Sequence, residues 1–409
     1  MSPPAPAASH PGEGAGTDCL WLVRWPPYAP LVSGDAVYSR SLLEALARRM
    51  PVHGLAFPTP GQTIPERPGV TWTLTTDREA SRLSSLASAL PSVAHRHNRS
   101  DFIRAAIRLA GGAKAVVLDL GLSFCADIIA RALPPERRPP MVIINHNDEA
   151  DLRKGLAGSA RNPLMRLSLG WDGWKAGRME SAANRVADGY TAITTTDLAS
   201  FQARAPEGRG LLLMPGYSGP VLEQRTIDEQ TPMRICILGG RGSFHKQVVL
   251  LQVLRALQAV GAEKRAIIDV VGRGGDGGKL AASFPGFHFL GFIDDLESYF
   301  RTVRLGLIPD LVGGGFKMRA LTHIFLRTPM LALDSAVAGM GLRSGLDYIG
   351  RETLAGVAAA APEVVRDLAL LNRIQDTAFE HWRSRFDWDE RGEALHRFIQ
   401  SLGDQRRPG

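Results

Sequence analysis

Short apolar runs alternate with longer amphipathic stretches along the whole chain. The runs at 19–25, 52–57, 115–120, 141–146, 189–194 and 210–215 predict strands. After a break the same reading holds at 233–240, 266–272, 287–293, 304–309 and 329–334. Most are too short for helices and are apolar without alternation, as strands covered on both faces are. Helical periodicity fills the gaps at 37–50, 124–133, 163–186 and 246–260, and the segment from Pro362 onward is helical too. Strand–helix–strand repetition makes an α/β protein with doubly wound parallel sheets.

The stretch 216–232 interrupts the pattern. It is polar, contains Pro220 and Pro232, and carries Glu223, Arg225, Asp228 and Glu229. The expected organisation is a tail at 1–18, a first Rossmann-like domain at 19–216, a linker at 217–232, a second Rossmann-like domain at 233–380, and a C-terminal helix region at 381–409. The length of 409 residues agrees with two cores, since a single core stops growing at roughly 250–300 residues. Two such sheets leave a cleft between them, and ligands bind beyond the carboxyl ends of the strands.

Composition narrows the ligand. Lys plus Arg exceed Asp plus Glu by 48 to 41, a net charge of +7. This mild surplus suits an anionic small ligand or peripheral contact with an anionic membrane, and it does not require nucleic acid. Cys19, Cys125 and Cys236 are far apart and form no CxxC pair, so neither a disulfide framework nor a zinc site is expected. No apolar run approaches the ~20 residues that cross a bilayer. The first 18 residues lack a signal-peptide pattern. The expected location is the cytoplasm, with peripheral contact at the inner face of the membrane. The abundance of Arg over Lys, and of Ala, hints at a bacterial source.

Four places could carry chemistry. Gly239-Gly240-Arg241-Gly242-Ser243-Phe244-His245-Lys246 follows a strand and opens a helix. Glycines let a ligand approach the backbone, a helix start offers free N–H groups, and Arg241 and Lys246 add two cations, a set suited to a diphosphate. Gly313-Gly314-Gly315-Phe316-Lys317 is a second such cradle. Asn145-His146-Asn147-Asp148-Glu149 ends an apolar strand; His146 could bond or move a proton, or the cluster could simply cap a helix through Asn147 or Asp148. Gly34, between Ser33 and Asp35, either makes room for a ligand or turns the chain. The GxGxxG match at 272–277 is followed by too short a segment for a crossover helix. Trp382, Phe386 and Trp388, around the acidic pair Asp387 and Asp389, read as packing residues. The basic stretch from Arg78 to Arg108, with His95, Arg96, His97, Arg99 and Arg104, is either a membrane or acceptor face or a solvated helix.

These elements, in this order, resemble the retaining glycosyltransferase family four, of the GT-B fold. The resemblance runs from SGDAVYSRSLLEALARR to FDWDERGEALHRF. Its most specific pieces are LGGRGSFHK, VVGRGG, FLGFIDDL, the GGGFK loop and TPMLAL in the second half, and INHNDEADLRKGLA in the first. It implies two Rossmann-like domains facing a cleft, with C-terminal helices packing back toward the first. It also implies transfer of a sugar, with retention and without metal or other cofactor, from a nucleotide-diphosphate donor to a glycan, lipid-linked or small-molecule acceptor, as in polysaccharide biosynthesis. On that resemblance Arg241 and Lys246 hold the diphosphate, and Gly34, Gly240, Gly314, Gly315, Phe316, Lys317 and Thr322 border the donor. His146 stands near the reacting carbon, and Asn145, Asn147 and Glu149 face the acceptor.

One departure stands out. The family's two glutamates around the glycine loop are Gly314 and Thr322 here; Asp310 or Asp334 could substitute. That departure motivates an alternative, a binding protein that kept the fold and lost the chemistry. A nicotinamide-dependent oxidoreductase rests only on the GxGxxG match.

Overall fold

The computed structural model describes residues 18–29, 33–76, 79–81, 83–119, 121–160, 162–239, 244–272, 277–311 and 315–406. The first lobe is built on strands β1 (Cys19–Leu22), β2 (Val52–Ala56), β3 (Val70–Leu74), β4 (Ala115–Leu118), β5 (Met141–Ile144), β6 (Gly189–Ala192) and β7 (Arg209–Leu212). The second is built on β8 (Arg234–Leu238), β9 (Ile267–Val271), β10 (His288–Gly291), β11 (Leu305–Ile308), β12 (Met330–Leu333) and β13 (Ile349–Arg351). The strand orders are β3-β2-β1-β4-β5-β6-β7 and β10-β9-β8-β11-β12-β13, and all of these strands pair in parallel. Each order reverses once, between β1 and β4 and between β8 and β11. Those switch points are where open sheets of this kind bind ligands.

The apolar runs become central strands because helices cover both faces: β1, β4, β5 and β11 are buried throughout. Two strands carry no such run. In β3, an edge strand, Thr71 and Thr73 bond the two ring nitrogens of His53 at 2.7 and 2.9 Å. The three-residue β13 lies at the other sheet's edge. The first helix runs over Gly34–Ala47, earlier than its apolar periodicity predicts. The Pro163–Val186 helix begins where proline and Asn162 dictate: the Asn162 side chain accepts from Leu164 N at 2.9 Å, and Pro163 has no N–H to leave unpaired. Asp18, expected in the tail, belongs to the fold, its carbonyl accepting from Lys114 N and Ala115 N. Residues 1–17 lie outside the described set. All three cysteines are buried, and none is in a disulfide.

The C-terminal helices are Leu354–Val364, Leu368–Trp382 and Trp388–Arg406. The last of these leaves the second lobe and packs on Gly34–Ala47. Gly392 allows this, since a Cβ there would stand 2.6 Å from the Ala45 backbone. Arg49 bonds both Asp389 oxygens at 3.0 and 2.7 Å and Glu393 at 2.6 Å. The chain therefore crosses between lobes twice, and the crossings touch. Tyr217 N donates to Phe386 O at 2.8 Å, Arg391 Nε donates to Met214 O at 2.9 Å, and Gly216 lies against the Trp388 ring. Trp382, Phe386 and Trp388 are buried here in one apolar core continuous across both lobes.

Candidate functional site

β5 ends at Ile144 and delivers Asn145, His146 and Asn147 to the cleft. Asp148 then caps the Glu149–Ser159 helix, its carboxylate accepting from Asp151 N at 3.1 Å. From the opposite lobe comes Gly315, with φ of +73°. A Cβ there would lie 2.2 Å from Asn147 Oδ1 and 3.0 Å from His146 O. Only glycine allows both that backbone conformation and that approach. Gly34, at the start of the first helix, faces Met318, whose Cγ a Cβ would meet at an ordinary 3.6 Å. Segments more than a hundred residues apart thus border one cleft.

The second lobe contributes cations. Lys246 is exposed in the first turn of the Phe244–Ala259 helix, and Lys317 is half-buried directly before the Met318–Phe325 helix. Arg319 pairs with Asp310, just beyond β11. Burial pushes the Lys317 ammonium below the usual lysine range; Asp310 and, from the first lobe, Asp197 oppose that shift, while Arg319 and Lys246 add to it. Burial alone would raise the Asp310 carboxyl, but Arg319, Lys317 and Lys246 hold it below the usual range. Asp310, Lys317, Arg319 and Lys246 are thus near enough to shift one another's charge.

Gly240, Arg241 and Gly314 lie outside the described residues, as do 273–276 of the GxGxxG pattern, and the helix after that pattern, Gly277–Ser283, is short. Phe316 is buried edge-on against Phe386, 6.0 Å between ring centroids. Thr322 lies beside the Tyr217 hydroxyl, which donates to Pro220 O at 2.9 Å. Asp310 is taken up by Arg319, and Asp334 accepts from the Tyr348 hydroxyl at 2.8 Å.

The first lobe contributes a cavity of about 400 Å³. Its polar end is formed by Arg24, Asp35, Asn145, His146, Asn147 and Glu149. Its apolar wall comes from the Glu149–Ser159 and Pro163–Val186 helices, through Leu152, Leu156, Leu169 and Met179. Asp119, beyond β4, organises the polar end: one carboxylate oxygen bonds His146 Nε2 at 2.6 Å and the other accepts from Trp21 Nε1 at 3.0 Å. The edge of Tyr38 packs against the His146 ring at 5.1 Å. Burial would lower the His146 pKa, but Asp119 and Asp35 outweigh it and raise the pKa above the ordinary histidine value.

Three groups here escaped the sequence reading. Arg24 follows β1; burial lowers its pKa, its guanidinium lies 4.3 Å from the Trp25 ring centre, and among the described residues its buried Nε has no hydrogen-bond partner. Asp119 had a readable signal, a carboxylate ending an apolar strand. Glu180 had none, because it sits inside a long helix. Its Oε1 accepts from Glu149 N at 3.1 Å, and burial, with Glu149 and Asp148 nearby, pushes its carboxyl up to about 8.

In the basic stretch several cations are paired. Arg96 and His97 are tied to Glu79, and Arg104 to Asp101; Arg78 lies outside the described residues. Among the described residues no three His, Cys, Asp or Glu side chains gather as a metal site would need, and no helix is long and apolar enough to cross a membrane.

No family model and no curated protein matches the sequence. Solved structures do match. The sucrose-phosphate synthase of Thermosynechococcus elongatus aligns over 95% of this chain and 100% of its own, with TM-score 0.72 and 13% identity. Anabaena HepE, solved with UDP-glucose, aligns over 94% and 99%, with TM-score 0.64 and 13% identity. The trehalose 6-phosphate synthase of Burkholderia multivorans aligns over 96% and 100%, with TM-score 0.60 and 12% identity. Two parallel-sheet lobes with a returning C-terminal helix, shared with glycosyltransferases over nearly the whole length, are the GT-B fold.

Proposed function

We propose that the protein transfers a sugar from a nucleotide-diphosphate donor, held by the second lobe, to a hydroxyl of an acceptor in the first-lobe cavity. The observation that carries this reading is the approach of Gly315 to His146 and Asn147, with Lys317 two residues beyond. A cationic glycine loop and a polar strand end then share one cleft. In the transfer, the bond between the sugar carbon and the diphosphate breaks, the diphosphate leaves with the electron pair, and the acceptor oxygen takes its place as its proton passes to the departing phosphate oxygen. Lys246 and Lys317, with Arg241, neutralise the departing charge. Preorganised charge of this kind is worth roughly 10²–10³ in rate per group.

The structural relatives include a UDP-glucose complex, so UDP and UDP-glucose head the probes. Retention, independence of metal and membership of family four belong to the same proposal. His146, oriented by Asp119, is placed to hydrogen-bond at the reacting centre, and Arg24 to hold a polar acceptor group. Gly314 and Thr322 bring no carboxylate to the nucleotide ribose; Asp310, paired with Arg319, and Asp334, bonded by Tyr348, are the acids that could substitute.

A thermal-shift screen against nucleoside diphosphates and their sugars tests binding; a ligand well above its dissociation constant adds a few kcal/mol of stability. Turnover with a responding donor, unchanged by a chelator, completes the test. Lys246→Ala and Arg241→Ala are each expected to cut turnover at least ~tenfold in folded protein. Tight binding without turnover across the panel would instead favour a non-catalytic binding protein. No response to any nucleotide, with a response to NAD(H) or NADP(H), would replace the reading with an oxidoreductase.

A further inference from the structure

The Pro163–Val186 helix shows two apolar faces, and only one is covered. Gly173 and Ala176, with Glu180, are buried against the lobe. Leu164, Leu167, Trp171 and Trp174 are spaced by three, four and three residues, which puts them on one stripe. That stripe is open: Leu164 is 76% exposed, Leu167 71%, Trp171 49% and Trp174 52%, with Met165 beside it at 45%. Large apolar side chains gathered on a soluble surface mark an interaction site. The two tryptophans stack at 4.9 Å, and the Arg178 guanidinium lies 4.8 Å from the Trp174 ring centre.

The charge around the stripe is mostly positive. Between Asp151 and Asp172 the chain carries Arg153, Lys154, Arg161 and Arg166. Arg153 is held by Glu149 and Asp172, which leaves Lys154 and Arg166 exposed in the hairpin. Leucines, stacked tryptophans and cations on one helix are the composition of an interfacial helix on anionic lipid. The inner side of the same hairpin supplies Leu152, Leu156, Leu169 and Met179 to the cavity wall. A single element thus offers an apolar outer surface and an inner side on which these apolar residues alternate with Arg153, Asp172 and Glu180 along the cavity that holds Arg24 and His146.

We propose that the hairpin of the Glu149–Ser159 and Pro163–Val186 helices docks on an anionic phospholipid surface through Leu164, Leu167, Trp171 and Trp174. The acceptor is then a lipid-borne hydroxyl compound whose apolar part follows the inner side of the hairpin into the cavity. The second statement rests on the transferase reading; the docking itself does not. The hairpin is thus a second candidate beside the basic stretch 78–108, which the sequence left open as a membrane or acceptor face or a solvated helix.

The test is co-sedimentation of the full chain with vesicles of phosphatidylcholine, with and without about one third phosphatidylglycerol, at low and high salt. Wild type is expected to pellet with the anionic vesicles, and less so at high salt. The double variant Leu167→Gln, Trp171→Gln is expected to lose at least about fivefold of its vesicle-bound fraction. Arg108→Gln, in the other basic stretch, should bind as wild type. A UDP-induced thermal shift equal to that of wild type shows the double variant to be folded; a shift missing from both proteins counts against the transferase reading and leaves the docking result standing. Light scattering should show the same mass for both proteins. Equal pelleting of wild type and double variant, or no wild-type binding to anionic vesicles, overturns the proposal. So does a wild-type dimer that the double variant converts to monomer, because the stripe would then cover a second copy.

Discussion

The two walls of the cleft treat charge differently. On the second lobe, Lys246, Lys317 and Arg319 gather around one near carboxylate, Asp310, with Asp197 reaching across from the other side. On the first lobe, the cations of the cavity other than Arg24 pair directly with acids: Arg96 meets Glu79, Arg153 meets Glu149 and Asp172, and His146 meets Asp119, while Arg24 has Asp35, Glu149 and Asp119 in its surroundings. One wall holds a surplus of positive charge, suited to an anion that departs with more charge than it brought. The other is compensated group by group, suited to a hydroxyl compound that must be oriented without being gripped. An enzyme that releases one substrate's anion while positioning another substrate needs that asymmetry.

The sharpest way to break the contrast is to remove the surplus. Lys317→Ala is expected to lower turnover by roughly a hundredfold, through loss of charge stabilisation at the leaving group, while a circular-dichroism melt shows the fold intact. Equal turnover in the variant would mean that the surplus is not used. Gly315→Ala attacks the meeting of the walls. The added Cβ collides with Asn147 in a backbone conformation that costs an L residue roughly 1–2 kcal/mol. Turnover should fall about tenfold or more, and small-angle scattering should show a more open molecule.

Asp119→Asn sharpens the acceptor side. The carboxylate raises the His146 pKa, so without it the histidine should titrate at lower pH, seen by NMR and as a displaced limb in the pH–rate profile. The smallest effect belongs to Glu180. Its folded pKa of about 8 lies above its unfolded value near 4.5, so its contribution is full below the lower figure and is lost as pH rises through the upper one. Glu180→Gln should leave the melting temperature little changed in acid and raise it by several degrees above pH 8, flattening the alkaline fall in stability.

The walls also differ in how far the chain announces them. The wall proposed to hold the donor is made of contiguous signals, glycine runs and a lysine at strand ends, because cradling an anion is a task for local backbone. The acceptor side is assembled from the ends of different strands. Nothing near Arg24 in sequence points to His146, and the Asp119–His146 bond joins β4 to β5 through a register that only the folded sheet fixes. The two missed strands fail for a related reason. β3 is rich in threonine, and β13 has three residues, so neither has the apolar run that marks a buried strand. The central sheets and the long helices were legible because burial on both faces writes itself into composition. The hairpin stripe was legible only as a helix; that its outer face stays uncovered is a property of the whole lobe.

The paired crossings near Tyr217 and Phe386 constrain how substrates enter. Two connections lying side by side act as the spine of a book, so the covers can part by rotation about that line and resist sliding or twisting. The Gly315–Asn147 contact lies where the pages close. Because the Trp388–Arg406 helix is bound into the first cover, cutting the chain at either crossing alone would leave the volume held together.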